Sequence, residues 1–206
     1  MSTLTRVALL ERLGRVDEMG CPPDSGLVVS PILAFEQIGD ASIDVRLGNQ
    51  IIVFRSHTMG HFRPVPPASR EFRRIQYRQV VRFGEGFVLH PGTLALGSTL
   101  EYVSVPNDLE CQVEGRSSWA RVGLQIATAS SIEPGFKGVI TLELSNVGSM
   151  PIELIPGARV AQLLFHSAKP TVAMPYGKHR KYVCPIGPQF SRVYQDLDMK
   201  VFVEGV

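Results

Sequence analysis

A lone carboxylate inside an apolar run is the first feature of this chain that could do chemistry. In Val139-Ile140-Thr141-Leu142-Glu143-Leu144, Glu143 is flanked by leucines and stands two residues after Thr141. Burial disfavours the ionised carboxyl and raises its pKa, which suits proton transfer near neutral pH. An edge-strand glutamate pointing to water would show the same spacing, and alternation alone does not separate the two. A second polar constellation is Glu114-Gly115-Arg116-Ser117-Ser118-Trp119-Ala120-Arg121. Two guanidinium forks, two hydroxyls and a glycine with accessible backbone amides form a donor set suited to polyphosphate. The same residues would also make a helix cap, with Ser117 as the capping side chain and two surface arginines.

Other chemistries find less support. His57, His61, His90, His166 and His179 are scattered, with no H-x-E or H-x-x-x-H spacing, and no P-C-x-x-C accompanies them. The zinc nucleobase-deaminase signature is therefore missing, as are G-x-S-x-G, the P-loop and G-x-G-x-x-G. Cys21, Cys111 and Cys184 lie far apart, a poor framework for zinc or disulfides. No metal ligand is assigned to the protein.

These residues need elements to hold them. Two hundred and six residues suffice for one good-sized core. A content of 19 glycines and 15 prolines points to many short strands. Apolar residues at three- and four-residue spacings predict a short amphipathic helix over 3–19, stopped by Gly20. Strands are predicted at 27–30, 42–48 and 51–54, the last two joined across a Gly48-Asn49 turn. Further strands are predicted at 86–90, 93–105, 110–114, 126–131, 139–146, 152–154 and 160–165, with one or two helical turns over 117–122. Strands at such regular intervals, without helix-strand alternation, predict a mainly β sandwich or barrel. Residues 56–80 carry His57, Met59, His61, three prolines and Arg70, Arg73, Arg74 and Arg78. They read as a long surface excursion, either a phosphate or partner patch or a solvated basic loop. Residues 171–206 read as a C-terminal arm.

Whole-chain properties bound the partners. A net charge of +2 is too balanced for a dedicated duplex nucleic-acid binder. No apolar run approaches about 18 residues, so no membrane span is expected, and a cytoplasmic location is expected.

With these features in place, the chain resembles the dCTP deaminase branch of the trimeric dUTPase superfamily. The resemblance rests on ordered blocks: Ala41-Ser42-Ile43-Asp44-Val45-Arg46-Leu47-Gly48, Leu89-His90-Pro91-Gly92 and Leu96-Gly97-Ser98-Thr99-Leu100-Glu101. It continues through Gly115-Arg116-Ser117-Ser118 with Ala120-Arg121, and Thr128-Ala129 with Ile132-Glu133-Pro134-Gly135-Phe136. Ile140-Thr141-Leu142-Glu143 follows, and near the end come Tyr176, Lys181-Tyr182 and Gly187-Pro188 with Ser191-Arg192. It implies a distorted, jelly-roll-like β-barrel over 27–170 with a short N-terminal helix, within a single domain over 1–206. A homotrimer with active sites between subunits is implied, each closed over its nucleotide by the C-terminal arm.

The implied activity is zinc-independent deamination of dCTP to dUTP and ammonia. Glu143 would be the general acid/base, Ser117 and Arg121 would orient water and stabilise the reacting centre, and the Ala129 carbonyl would accept from the exocyclic amine. Arg116, Ser117, Ser118 and Arg121 would contact phosphate, and Glu133, Thr141, Leu142, Tyr176 and Lys181 would lie along the nucleotide. Mg²⁺ would arrive on the triphosphate. A dUTPase, a bifunctional dUMP-forming enzyme and a non-catalytic nucleotide-binding trimer are the alternatives. The segment between Leu124 and Thr128 is one residue short of the family pattern and lacks a His before Thr128. Glu133 stands for an Asp, Ser130-Ser131 follows Ala129, and Pro185 stands for a Gln.

Overall fold

In the computed structural model the described residues are 2–14, 26–55, 61, 75–127, 131–168, 176–177, 180–196 and 198. Nearly all regular structure among them is β. Helix α1 (Arg6–Leu13) opens the chain and buries Leu9 completely. It starts at Arg6 rather than at residue 3, and its last turn is completed by the Gly14 N–H on the Leu10 carbonyl at 3.1 Å. Residues 15–25 lie outside the described set.

Twelve strands follow among the described residues: β1 (Val28–Ser30), β2 (Ile43–Arg46), β3 (Gln50–Phe54), β4 (Gln76–Val80), β5 (Phe87–Leu89), β6 (Leu94–Ser104), β7 (Leu109–Gly115), β8 (Leu124–Ile126), β9 (Ser131–Ile132), β10 (Lys137–Asn146), β11 (Ile152–Leu154) and β12 (Arg159–Ser167). A one-turn helix, α2 (Ser117–Ala120), separates β7 from β8. One sheet runs β4-β3-β6-β10-β8, with β1 added to β6; a second runs β2-β12-β7-β9; β11 and β5 form a ribbon. Every pairing is antiparallel.

The core forms where the inner faces meet. Ile43 and Val45 of β2, Cys111 and Val113 of β7, and Leu163 and Phe165 of β12 contribute from one sheet. Ile51 of β3, Val103 of β6, and Ile140, Leu142 and Leu144 of β10 contribute from the other. This is the jelly-roll-like, mainly β architecture expected, although the sheets do not close into a continuous barrel among the described strands.

A buried polar network braces the frame. The Glu101 carboxylate, fully buried, accepts from Gln37 Nε2 at 3.0 Å, the Arg46 N–H at 2.8 Å and the Arg46 guanidinium at 3.3 Å. Burial pushes its pKa up, and Arg46 opposes that shift. On β2, Asp44 pairs with Arg159 at 3.3 Å and with Arg116 at 3.4 Å.

Several local expectations change. The runs over 42–48 and 51–54 do not form a hairpin: β2 pairs with β12, while β3 pairs with β4 and β6. Residues 76–80, assigned to the surface excursion, are strand β4; of the rest of that stretch only His61 and Ile75 lie inside the described set. The predicted strand over 126–131 is two pieces in different sheets, β8 on β10 and β9 on β7. Ser117 does not cap α2; Arg116 holds the N-cap position, without a side-chain cap bond.

Candidate active site

Strand β10 explains how a glutamate can sit among leucines. Its even-numbered residues from Gly138 to Asn146 are buried, and its odd-numbered ones from Val139 to Ser145 are half-buried. Glu143 therefore faces away from the core. It is not on an edge, because β10 is flanked by β6 and β8, with Glu143 opposite Leu96. Residues 176–177 and 180–196 cover that outer face. The Val139 N–H donates to the Pro185 carbonyl at 2.8 Å, the Gln189 N–H to Thr141 Oγ1 at 3.2 Å, and the Tyr176 N–H to the Pro134 carbonyl at 2.8 Å. Gly138 permits the closest contact. At φ 144°, a Cβ there would lie 2.4 Å from Pro185 Cδ.

Between sheet and cover lies a pocket of about 550 Å³, large enough for a small organic ligand. Glu133, Thr141, Glu143 and Tyr176 line it together with mostly apolar neighbours, among them Phe136 and Leu96. Glu143 Oε2 is buried without a hydrogen-bond partner among the described residues. Burial raises its pKa above the usual carboxylate range. A buried carboxylate oxygen without a partner costs stability, so its retention in a pocket marks Glu143 as a functional candidate. It can take a proton from a ligand or water and return it.

The far rim is cationic. Tyr176 packs edge-on against Phe136, with ring centroids 5.5 Å apart, and donates its hydroxyl to the Tyr182 carbonyl at 2.8 Å. The Arg180 guanidinium lies 5.9 Å from the Tyr176 ring centroid and pairs with Glu133 at 2.5 Å. Lys181 pairs with Asp196, and Arg192 lies over the Tyr182 ring.

The structure thus brings Glu133, Thr141, Glu143 and Tyr176 together and sets Lys181 beside them, before Tyr182. The Leu142 side chain is in the core, so this residue can meet a ligand only through its backbone. The Arg116–Arg121 stretch does not line the pocket. Ser117, Ser118 and Arg121 are exposed, while Trp119 anchors α2 by donating to the Arg159 carbonyl at 2.8 Å. Arg116 also donates to that carbonyl, at 3.3 Å. Ala129 lies outside the described residues. Among the described residues, no group of three His, Cys, Asp or Glu side chains could hold a metal ion.

Sequence reasoning missed Gln76, Phe54 and Gln189 as pocket residues. Gln76 was hidden in the Arg-rich stretch, where the buried-then-exposed pattern of β4 offers little hydrophobic signal.

The chain is also similar to known proteins over most of its length. Residues 23–168 match the family model described as dCTP deaminase-like. A dUMP-forming dCTP deaminase from Methanobrevibacter smithii is 39% identical over 178 residues, covering 84% of this chain and 91% of its own. A dCTP deaminase from Natronomonas pharaonis is 43% identical over 163 residues, covering 78% and 83%. The crystal structure of a 2'-deoxycytidine 5'-triphosphate deaminase from Agrobacterium tumefaciens superposes with a TM-score of 0.58 at 23% identity, covering 79% of this chain and 47% of that longer one, and so supports the fold. Extended matches of this kind, across the strands that carry Glu143 and the turn that carries Glu133, make the chain a member of the dCTP deaminase-like family.

Proposed function

We propose that this protein deaminates dCTP to dUTP and ammonia with Glu143 as the proton carrier. The observation that carries the reading is the Glu143 side chain in this pocket, with its Oε2 buried and without a partner among the described residues. Water attacks C4 of the cytosine ring as Glu143 takes one of its protons. The C–O bond forms, the ring becomes tetrahedral at C4, and Glu143 delivers the proton to the amino group. The C–N bond then breaks and ammonia leaves, while the second water proton passes from the C4 hydroxyl to N3, so that the uracil carbonyl and its N3–H form together. Glu133 and Tyr176 hold the sugar side, and Arg180 and Lys181 at the rim meet phosphate. Mg²⁺ is part of the substrate, carried on the triphosphate.

Among the described residues, Ser117, Ser118 and Arg121 are exposed on a separate turn and do not line the pocket of their own chain. A homotrimer in which a second copy contributes Arg116, Ser117, Ser118 and Arg121 resolves this. Val122, Val147 and Met150, at 56%, 68% and 73% exposure, form apolar surface beside α2 that such an assembly would cover. Arg121 and Ser117 would then orient the water and stabilise the charge developing at C4.

A second reading, direct conversion to dUMP, is favoured by the relatives named dUMP-forming, of which the Methanobrevibacter protein is one. In that reading Glu133 also helps to activate water at the α-phosphate. Incubating the protein with dCTP and Mg²⁺ and following ammonia and pyrophosphate together separates the two. Ammonia without stoichiometric pyrophosphate supports dUTP formation; equal release supports the dUMP-forming reading. Tight dCTP binding with neither product would make the chain a nucleotide-binding trimer.

A further inference from the structure

Arg78 belongs to the Arg-rich stretch that reads in the sequence as either a phosphate or partner patch or a solvated loop. Its contacts point inward instead. It stands two residues after Gln76 on β4, so both side chains leave the same face of that strand, and Gln76 lines the pocket. From there Arg78 Nη2 donates to the Pro188 carbonyl at 3.1 Å, and its guanidinium carbon lies 5.7 Å from the centroid of the Phe190 ring. A planar, permanently charged fork can make both contacts at once.

The residue between those two contacts is Gln189, which lines the pocket. Its N–H donates to Thr141 Oγ1, and its Nε2 donates to the Gly187 carbonyl at 2.9 Å. Gly187 in turn lies close on β3: a Cβ there would stand 2.8 Å from Gln50 Oε1. Ile52, two residues on from Gln50, is fully buried yet outside the core cluster that Ile51 joins, as a residue beneath a cover would be. Residues 187–190 therefore lie against β3 and β4, as Pro185 lies on β10. Neither Arg78 nor Phe190 lines the pocket. Their pairing can affect a ligand only through the roof that it holds.

We propose that Arg78 is a positioning residue: it clamps residues 188–190 to β4 and so holds the roof under which the nucleotide binds. The inference rests on the reading of the pocket as the dCTP site. Its first test needs no substrate. Hydrogen exchange of the full-length protein follows the Val139 and Gln189 amides, which bond across the boundary between sheet and cover. In Arg78→Ala both should exchange about tenfold faster than in wild type, while the amides between β7 and β12 keep their wild-type rates. In ammonia-release assays the same variant should raise KM for dCTP about tenfold and leave kcat within about threefold of wild type, because Glu143 is untouched. Arg78→Lys keeps the charge and a donor, and should bring both readouts to within about threefold of wild type. Phe190→Leu should loosen the roof in the same direction, and should add less in the Arg78→Ala background than it does alone. Unchanged exchange in Arg78→Ala overturns the inference and leaves the deaminase reading intact. So does faster exchange with an unaltered KM. A wild type that releases no ammonia from dCTP overturns the deaminase reading; the clamp is then judged by exchange and by calorimetric dCTP affinity, neither of which needs turnover.

Discussion

Glu143 carries two separable consequences of burial. In the proposed role of base it must be ionised, so kcat/KM should fall as pH drops through its raised pKa. The acid limb should therefore lie above the ordinary glutamate value of about 4.3. As a structural liability it acts in the opposite direction. Its folded pKa lies above the unfolded one, so its contribution to stability is full below the unfolded value and is lost as pH rises through the folded value. Glu143→Gln should thus melt at a higher temperature than wild type at pH 8, with the gap closing toward pH 4; differential scanning fluorimetry across that range tests it. The same substitution should reduce kcat by roughly 10²–10⁴ or more, since the amide cannot accept the proton. Nucleotide affinity should change by less than about 1.4 kcal/mol, a factor of ten, in titration calorimetry. Near-normal turnover in this variant would reduce Glu143 to a strand residue with an unusual neighbourhood.

At the scale of elements, the site depends on residues 180–196 lying across β10. Gly138 sits beneath Pro185 at φ 144°, a conformation L side chains rarely adopt. Gly138→Ala should lift this cover, raising KM for the nucleotide several-fold while leaving the melting temperature less affected than a core truncation would. Leu142→Ala, on the opposite face of the same strand, is that control, at about 2–5 kcal/mol of lost stability. Steady-state kinetics alongside thermal melts distinguish the two; equal loss of stability in both would mean that the cover is part of the core. The sequence-readable part of the fold follows from this geometry. β10 shows a buried face at a period of two, and β12 carries the same pattern over Ala161, Leu163 and Phe165. β8 and β9 merged into one predicted strand because a strand's sequence does not record which sheet it joins. Gln76 escaped notice because β4 has one buried side chain, and it is polar. Glu143's depth was undecided in sequence because it depends on β6, β8 and the cover, none of which is local to it. The Pro185 departure also acquires a reason: its carbonyl receives the Val139 N–H while its ring occupies the space that Gly138 leaves open.

For the whole molecule, the arrangement of charge sets the strongest test. Glu143 lies under the cover, while Ser117, Ser118 and Arg121 project from α2 and its C-terminal end, outside the pocket of their own chain. If sites form between copies, two inactive variants should complement each other. Mixing Glu143→Gln with Arg121→Ala under conditions that exchange subunits should restore roughly a quarter of wild-type sites, as random assembly of two copies per site requires. No recovery, with trimers verified by light scattering, would place all catalytic groups within one chain. A monomer mass at micromolar concentration would remove the assembly itself.

The pairing of β2 with β12 has a consequence in time as well as in space. Asp44 meets Arg159 across 115 residues of sequence, and Thr3 bridges to His166 across 163. Contacts so remote must wait for loop closure, which places folding in the slow, millisecond-to-second regime of non-local β topologies. During synthesis β2 emerges long before its partner strand, so its edge stays unpaired until β12 has left the ribosome, and the cover over Glu143 is later still. The residues that would enclose the substrate are thus made after the sheet they cover, and a chain truncated after β12 would hold a formed sheet with its carboxylate open to water.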